Sequence, residues 1–90
     1  MKQAQNKMNG YRIVVLTQGF VYVGSLEQTG DYYTLSNARN IRVWGTTKGL
    51  GQLAIDGPTD STKLDDCGTV RFREESIAHV IDTDVKLWKS

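Results

Sequence analysis

The sequence predicts a small all-β barrel of five or six short strands, and three observations predict it. Apolar side chains alternate with polar ones in segments rich in β-branched and aromatic residues. Tight-turn signals separate those segments, and no stretch carries a helical apolar period long enough for an extended helix. Nine glycines against one proline fit a chain of many turns.

Residues 1–10 hold mostly Lys, Gln and Asn and are expected to be a flexible tail, leaving 11–90 as one barrel domain. Residues 11–17 and 20–26 read as two strands joined at Gln18-Gly19, a hairpin signal. Thr29-Gly30-Asp31 marks the next turn and leads into Tyr32-Tyr33-Thr34-Leu35. Asn37-Ala38-Arg39-Asn40 then interrupts before Ile41-Arg42-Val43-Trp44, which predicts either one long bent strand or two short ones. An asparagine suits such a bulge because it tolerates left-handed backbone angles.

Residues 45–68 carry the chain's only proline and four glycines before the closing Gly68. Loops above about 12 to 15 residues are uncommon in compact domains unless they work, so this long Gly-rich loop is expected to cover the barrel mouth or build a binding surface. Leu50, Leu53, Ala54 and Ile55 offer apolar anchors at the spacing of one helical turn. In 69–73 the strand pattern returns, with Val70 and Phe72 on one face and Arg71 and Arg73 on the other. Glu74-Glu75-Ser76 supplies a turn into a strand over 77–81. The i, i+2 spacing of Val85 and Leu87, followed by Trp88, suggests a last edge strand, exposed for a subunit contact or closing the barrel.

Composition excludes several function classes. Eleven Lys and Arg against ten Asp and Glu give a net charge of +1, far from the basicity of proteins that hold long nucleic acid by phosphate neutralisation. The single Cys67 allows no internal disulfide, cysteine zinc site or iron–sulfur cluster, which points to a cytoplasmic chain. The longest apolar run, Ile13-Val14-Val15-Leu16, falls far short of the roughly 20 residues of a membrane helix, so no membrane partner is expected. Asp65, Asp66 and His79 lack metal-ligand spacing, and no cofactor or metal is expected. Cys67 and His79 are the only nucleophile and imidazole. His79 alternates onto one face with Ile77 and Ile81, which makes it a core or interface residue and the chain a non-enzyme.

The order Ile13-Val14-Val15-Leu16, Gly19, Val21-Tyr22-Val23-Gly24-Ser25-Leu26, Gly30-Asp31 and Tyr33-Thr34-Leu35-Ser36-Asn37-Ala38 resembles the first motif of the Sm-like family, which includes Sm, LSm and Hfq proteins. Val70-Arg71-Phe72-Arg73, with Ile77, Val80 and Ile81 after it, is similar to the second motif, although Glu74 and Glu75 stand where the family usually has a glycine. The resemblance covers roughly 11–82 and implies an Sm-like, SH3-like barrel that pairs edge strands between neighbours into a homo-oligomeric ring and binds RNA. Trp44-Gly45-Thr46-Thr47-Lys48-Gly49-Leu50-Gly51, with Gly57-Pro58-Thr59 and Cys67-Gly68-Thr69, also resembles small uncharacterised bacteriophage proteins. That likeness implies a phage origin and residence in the host cytoplasm. By analogy of class, it also implies a role in immune evasion, sequestering a nucleotide signal of host defence.

The candidate ligand-binding residues are Trp44, Thr46, Thr47, Lys48, Gly49, Arg39 and Arg42. Successive amides of a glycine-rich loop can point at an anion, Lys48 adds charge, and Thr46 and Thr47 add hydroxyls. Trp44, with Tyr32 or Tyr33, can stack on a base, worth about 1 to 3 kcal/mol per base. The segment lacks the Gly-x4-Gly-Lys-Ser/Thr order of a phosphate-binding Walker loop, and a plain turn closing the barrel explains the same residues. Arg71 and Arg73 sit near Asp65, Asp66, Glu74 and Glu75, an arrangement expected of surface ion pairs. The expected function is therefore an oligomeric binding protein for a small nucleotide. Its alternatives are an RNA-binding ring on short single strands and a structural or protein-interaction module.

Overall fold

The computed structural model describes residues 10–88. Five antiparallel strands, β1 (Gly10–Leu16), β2 (Val21–Thr29), β3 (Tyr32–Val43), β4 (Lys63–Arg73) and β5 (Ile77–Asp82), form one sheet in the order β4-β3-β2-β1-β5. Helix α1 (Leu50–Asp56) lies between β3 and β4. The expected tail lies outside the described residues, except that Gly10 opens β1.

The β-branched run of β1 places the strand at the centre of the molecule, paired with β2 on one side and β5 on the other. Neighbouring residues Ile13 and Val14 point to opposite faces and both are 0% exposed, so the sheet is covered on both faces there. Ile13, Val21, Val23 and Ile41 pack on one face beneath Leu53, Ala54 and Trp88. On the other face, Val14, Leu16, Leu26, Tyr33, Leu35, Ala38 and Phe72 form a second core inside the curl of the sheet. Tyr33 and Phe72 stack there with ring centroids 5.9 Å apart.

The curl comes from register breaks in β2 and β3. Gly24 sits at the β2 break, where a Cβ would lie 2.9 Å from the Ser36 carbonyl oxygen, so only glycine lets β3 approach so closely. Opposite it, Asn37 adopts φ 51°, the left-handed angle that its sequence context predicts. The interruption at 37–40 is therefore a bulge within one long bent strand.

Four expectations are corrected. The sheet coils without closing into a barrel, because β4 and β5 remain unpaired edges. The excursion is shorter than 45–68, since β4 already begins at Lys63 and holds Cys67 and Gly68. The predicted last edge strand is a 3-10 turn at Val85–Leu87, held by the Asp84 side chain accepting from the Lys86 amide at 3.0 Å. Trp88 behind it is buried, which fits the expectation that this segment packs onto the fold rather than the one of an exposed subunit contact. Finally, His79 is exposed. The register shifts between Val15 and Leu16, so Ile77 packs into the second core while Ile81 packs against the first, and simple alternation fails across that bulge.

Helix α1, with seven residues, is too short to persist alone. It is held by Leu53 and Ala54 in the first core, where full burial of Leu53 is worth about 1.5 to 3 kcal/mol. A short relay ties it to the C-terminal turn: Trp88 Nε1 donates to Thr83 Oγ1 at 2.9 Å, and Thr83 Oγ1 donates to the Ala54 carbonyl at 2.7 Å. No described helix is long and apolar enough to cross a membrane.

Candidate ligand-binding site

The excursion 44–62 is folded by its own polar groups. Thr62 Oγ1 donates to the Trp44 carbonyl and Thr59 Oγ1 to the Gly45 carbonyl, each at 2.7 Å, which pins the two ends together. At Gly45 the chains touch so closely that a Cβ would lie 2.4 Å from the Ser61 carbonyl carbon, and φ is 66°. Within the loop, Gln52 Oε1 accepts from the amides of Thr47 at 3.2 Å and Lys48 at 3.0 Å. The Gly49 amide donates to Thr46 Oγ1 at 3.1 Å. Three amides of the glycine-rich segment, those of Thr47, Lys48 and Gly49, are thus engaged by the chain's own oxygens. The Lys48 side chain is exposed, and Trp44 is 42% exposed at the end of β3.

Strand alternation separates the two arginines named with this loop. Arg42 pairs with Asp65, Nε to Oδ2 at 2.7 Å and Nη2 to Oδ1 at 3.4 Å. That hydrogen bond and the carboxylate charge hold the guanidinium above its ordinary pKa. Arg39, an odd number of residues away, lies on the opposite face beside Trp88. The structure therefore gathers Trp44, Thr46, Thr47, Lys48 and Gly49 in one segment and leaves Arg39 elsewhere.

Arg39 lines a groove of about 540 Å³ with Tyr11, Asp66, Gly68, Val85 and Trp88. The groove lies where the bulges of β3 and β4 loosen the pairing around Asn37, Ala38 and Gly68. Arg39 Nη2 donates to the Trp88 carbonyl at 2.6 Å and contacts the Tyr11 hydroxyl at 3.4 Å. Among the described residues no carboxylate lies within ion-pairing distance of Arg39, although Asp66 is its direct cross-strand partner. Tyr11, Asp66 and Trp88 were not expected at a site. The signal present in the sequence was the asparagine-rich interruption, which marks the bulge; the Arg39 to Asp66 register has no local signature.

A second groove, of about 500 Å³, is lined by Asp31, Arg73, Glu74 and Glu75 where two turns meet. Arg73 is engaged there, donating to the Tyr32 hydroxyl at 3.0 Å, lying 5.1 Å from the Tyr32 ring centroid and pairing with Glu75 at 3.5 Å. Its own amide and the Arg73 charge hold the Glu75 carboxyl below its usual range. Arg71 is exposed on the outer face of the same strand.

Cys67 is exposed and its thiol donates to the Asp65 carbonyl at 3.4 Å, with no hydrogen bond to His79 among the described residues. No group of three or more His, Cys, Asp and Glu side chains among the described residues is arranged to hold a metal ion. Comparison with known proteins gives no family model that matches this chain, and no curated protein matches it.

Proposed function

We propose that this protein is a non-enzymatic binding module that takes a nucleotide-type ligand in the Arg39 groove and works as a homo-oligomer. The observation that carries the reading is Arg39 itself: a half-buried guanidinium, without a carboxylate partner among the described residues, in a groove of ligand size. A guanidinium in that setting is suited to phosphate or to a base edge, because its fork of donors is rigid and always charged. Tyr11 adds an aromatic wall to it. The engaged amides of Thr47, Lys48 and Gly49 favour this groove over the loop at Lys48.

The open edges of β4 and β5 support self-association, since unpaired strand edges template pairing with a neighbour. The Sm-like resemblance implies ring assembly through such edges. For a chain of phage origin the reading becomes sequestration of a host nucleotide signal in the host cytoplasm. The competing RNA-binding ring is weakened by the net charge of +1 and by the three carboxylates of Asp31, Glu74 and Glu75 around the second groove, which repel phosphate.

Calorimetric titration with mononucleotides and cyclic nucleotides, alongside native mass spectrometry, tests the proposal. Arg39→Gln should weaken binding at least tenfold, about 1.4 kcal/mol. Equal affinity of variant and wild type removes the groove from the site. Binding only to single-stranded RNA, lost steeply with salt, moves the protein to the RNA reading.

A further inference from the structure

Arg39 and Asp66 are directly opposed on neighbouring strands and line one groove, yet they do not pair. Opposite charges so placed normally attract across a sheet. Here the Trp88 carbonyl, 2.6 Å from Nη2, and the Tyr11 hydroxyl turn the guanidinium away. Its Nε and Nη1 make no hydrogen bond among the described residues, and the exposed Asp66 carboxylate makes none either. Arg39 therefore offers the groove only donors and the Asp66 carboxylate only acceptors.

We infer that Arg39 and Asp66 together read the edge of a guanine base, with Asp66 accepting from the adjacent N1–H and N2–H2 groups and Arg39 donating to O6. The inference rests on the nucleotide reading above and adds the identity of the base. Guanine is the base whose edge carries an acceptor followed by two donors in a row, which matches a donor beside a two-oxygen acceptor. Adenine presents a ring nitrogen lone pair to the carboxylate, and uracil flanks its single N–H with carbonyls, so each leaves a repulsive contact. Val85 supplies apolar surface beside the ring, and Gly68 adds no side chain to fill the space.

The test titrates wild-type protein and Asp66→Asn with guanosine 5′-monophosphate and adenosine 5′-monophosphate. The Asp66 carboxylate makes no hydrogen bond or ion pair among the described residues, so the variant should keep the wild-type melting temperature. Wild type should bind the guanine nucleotide at least tenfold more tightly than the adenine one, and Asp66→Asn should erase that preference, by weakening guanine binding and by relieving the repulsion of the adenine ring nitrogen. Equal binding of both nucleotides by wild type overturns the base assignment while leaving the nucleotide reading intact. So does an unchanged guanine preference in Asp66→Asn. If neither nucleotide binds at millimolar concentration, the nucleotide reading itself fails, and the base assignment with it.

Discussion

The excursion 44–62 and the Arg39 groove handle their polar groups in opposite ways. In the excursion, the carbonyls of Trp44 and Gly45 and the amides of Thr47, Lys48 and Gly49 all find partners within the segment. In the groove, a guanidinium and a carboxylate that face each other stay apart. A segment that spends these amides on its own oxygens does not present them to an anion. A half-buried charge without a counter-charge costs free energy, and a ligand supplying the missing partner would recover that cost.

The contrast can be broken most forcefully at Trp88, which roofs the first core and orients Arg39 through its carbonyl. Trp88→Ala should destabilise by about 3 to 5 kcal/mol in chemical denaturation and abolish groove binding. A loss below about 1 kcal/mol would mean that the core does not depend on this roof. Gly45→Ala tests the other region: its Cβ would run into Ser61 at a left-handed backbone angle, for a cost of about 1 to 3 kcal/mol with nucleotide affinity preserved. Affinity falling in parallel with stability would tie the excursion to the site after all.

Lys48→Ala sharpens the comparison with little expected effect. Stability should stay within about 0.5 kcal/mol and affinity within about twofold, whereas a site in the loop requires roughly a tenfold loss. The smallest effect is at alkaline pH. Burial, with a further push from Glu74, raises the Tyr33 hydroxyl above its ordinary pKa, so the folded state favours the neutral form. Stability from this group is complete below pH 10 and is lost as pH rises through the higher folded value. Tyr33→Phe should flatten that alkaline decline in a melting-temperature series; an unchanged slope would place its origin elsewhere.

Much of the fold was legible because several segments keep a strict local code. The β1–β2 hairpin, the bulge at Asn37 and the anchors Leu53 and Ala54 follow from alternation, turn chemistry and helical spacing. The start of β4 was hidden because Lys63, Asp65, Asp66 and Cys67 lie exposed on an edge, where one-sided burial does not impose a period of two. Trp88 was misplaced because Val85 and Leu87 mimic strand spacing, although Asp84 already stood at a capping position. Of the proposed site, Arg39 was visible as a residue. Its meaning was not, because the pairing with Asp66 is a property of register between strands that meet only in the folded sheet.

The strand order has a kinetic consequence. β1, which carries two of the wholly buried side chains, Ile13 and Val14, obtains its second neighbour only from β5, near the other end of the described chain. During synthesis it must wait with one edge unsatisfied until β2, β3 and β4 have emerged ahead of β5, so the last strand to pair completes the centre of the sheet rather than its periphery. Such long-range closure is slow, on the order of milliseconds to seconds, and leaves a sticky intermediate that invites the nascent chain to associate too early.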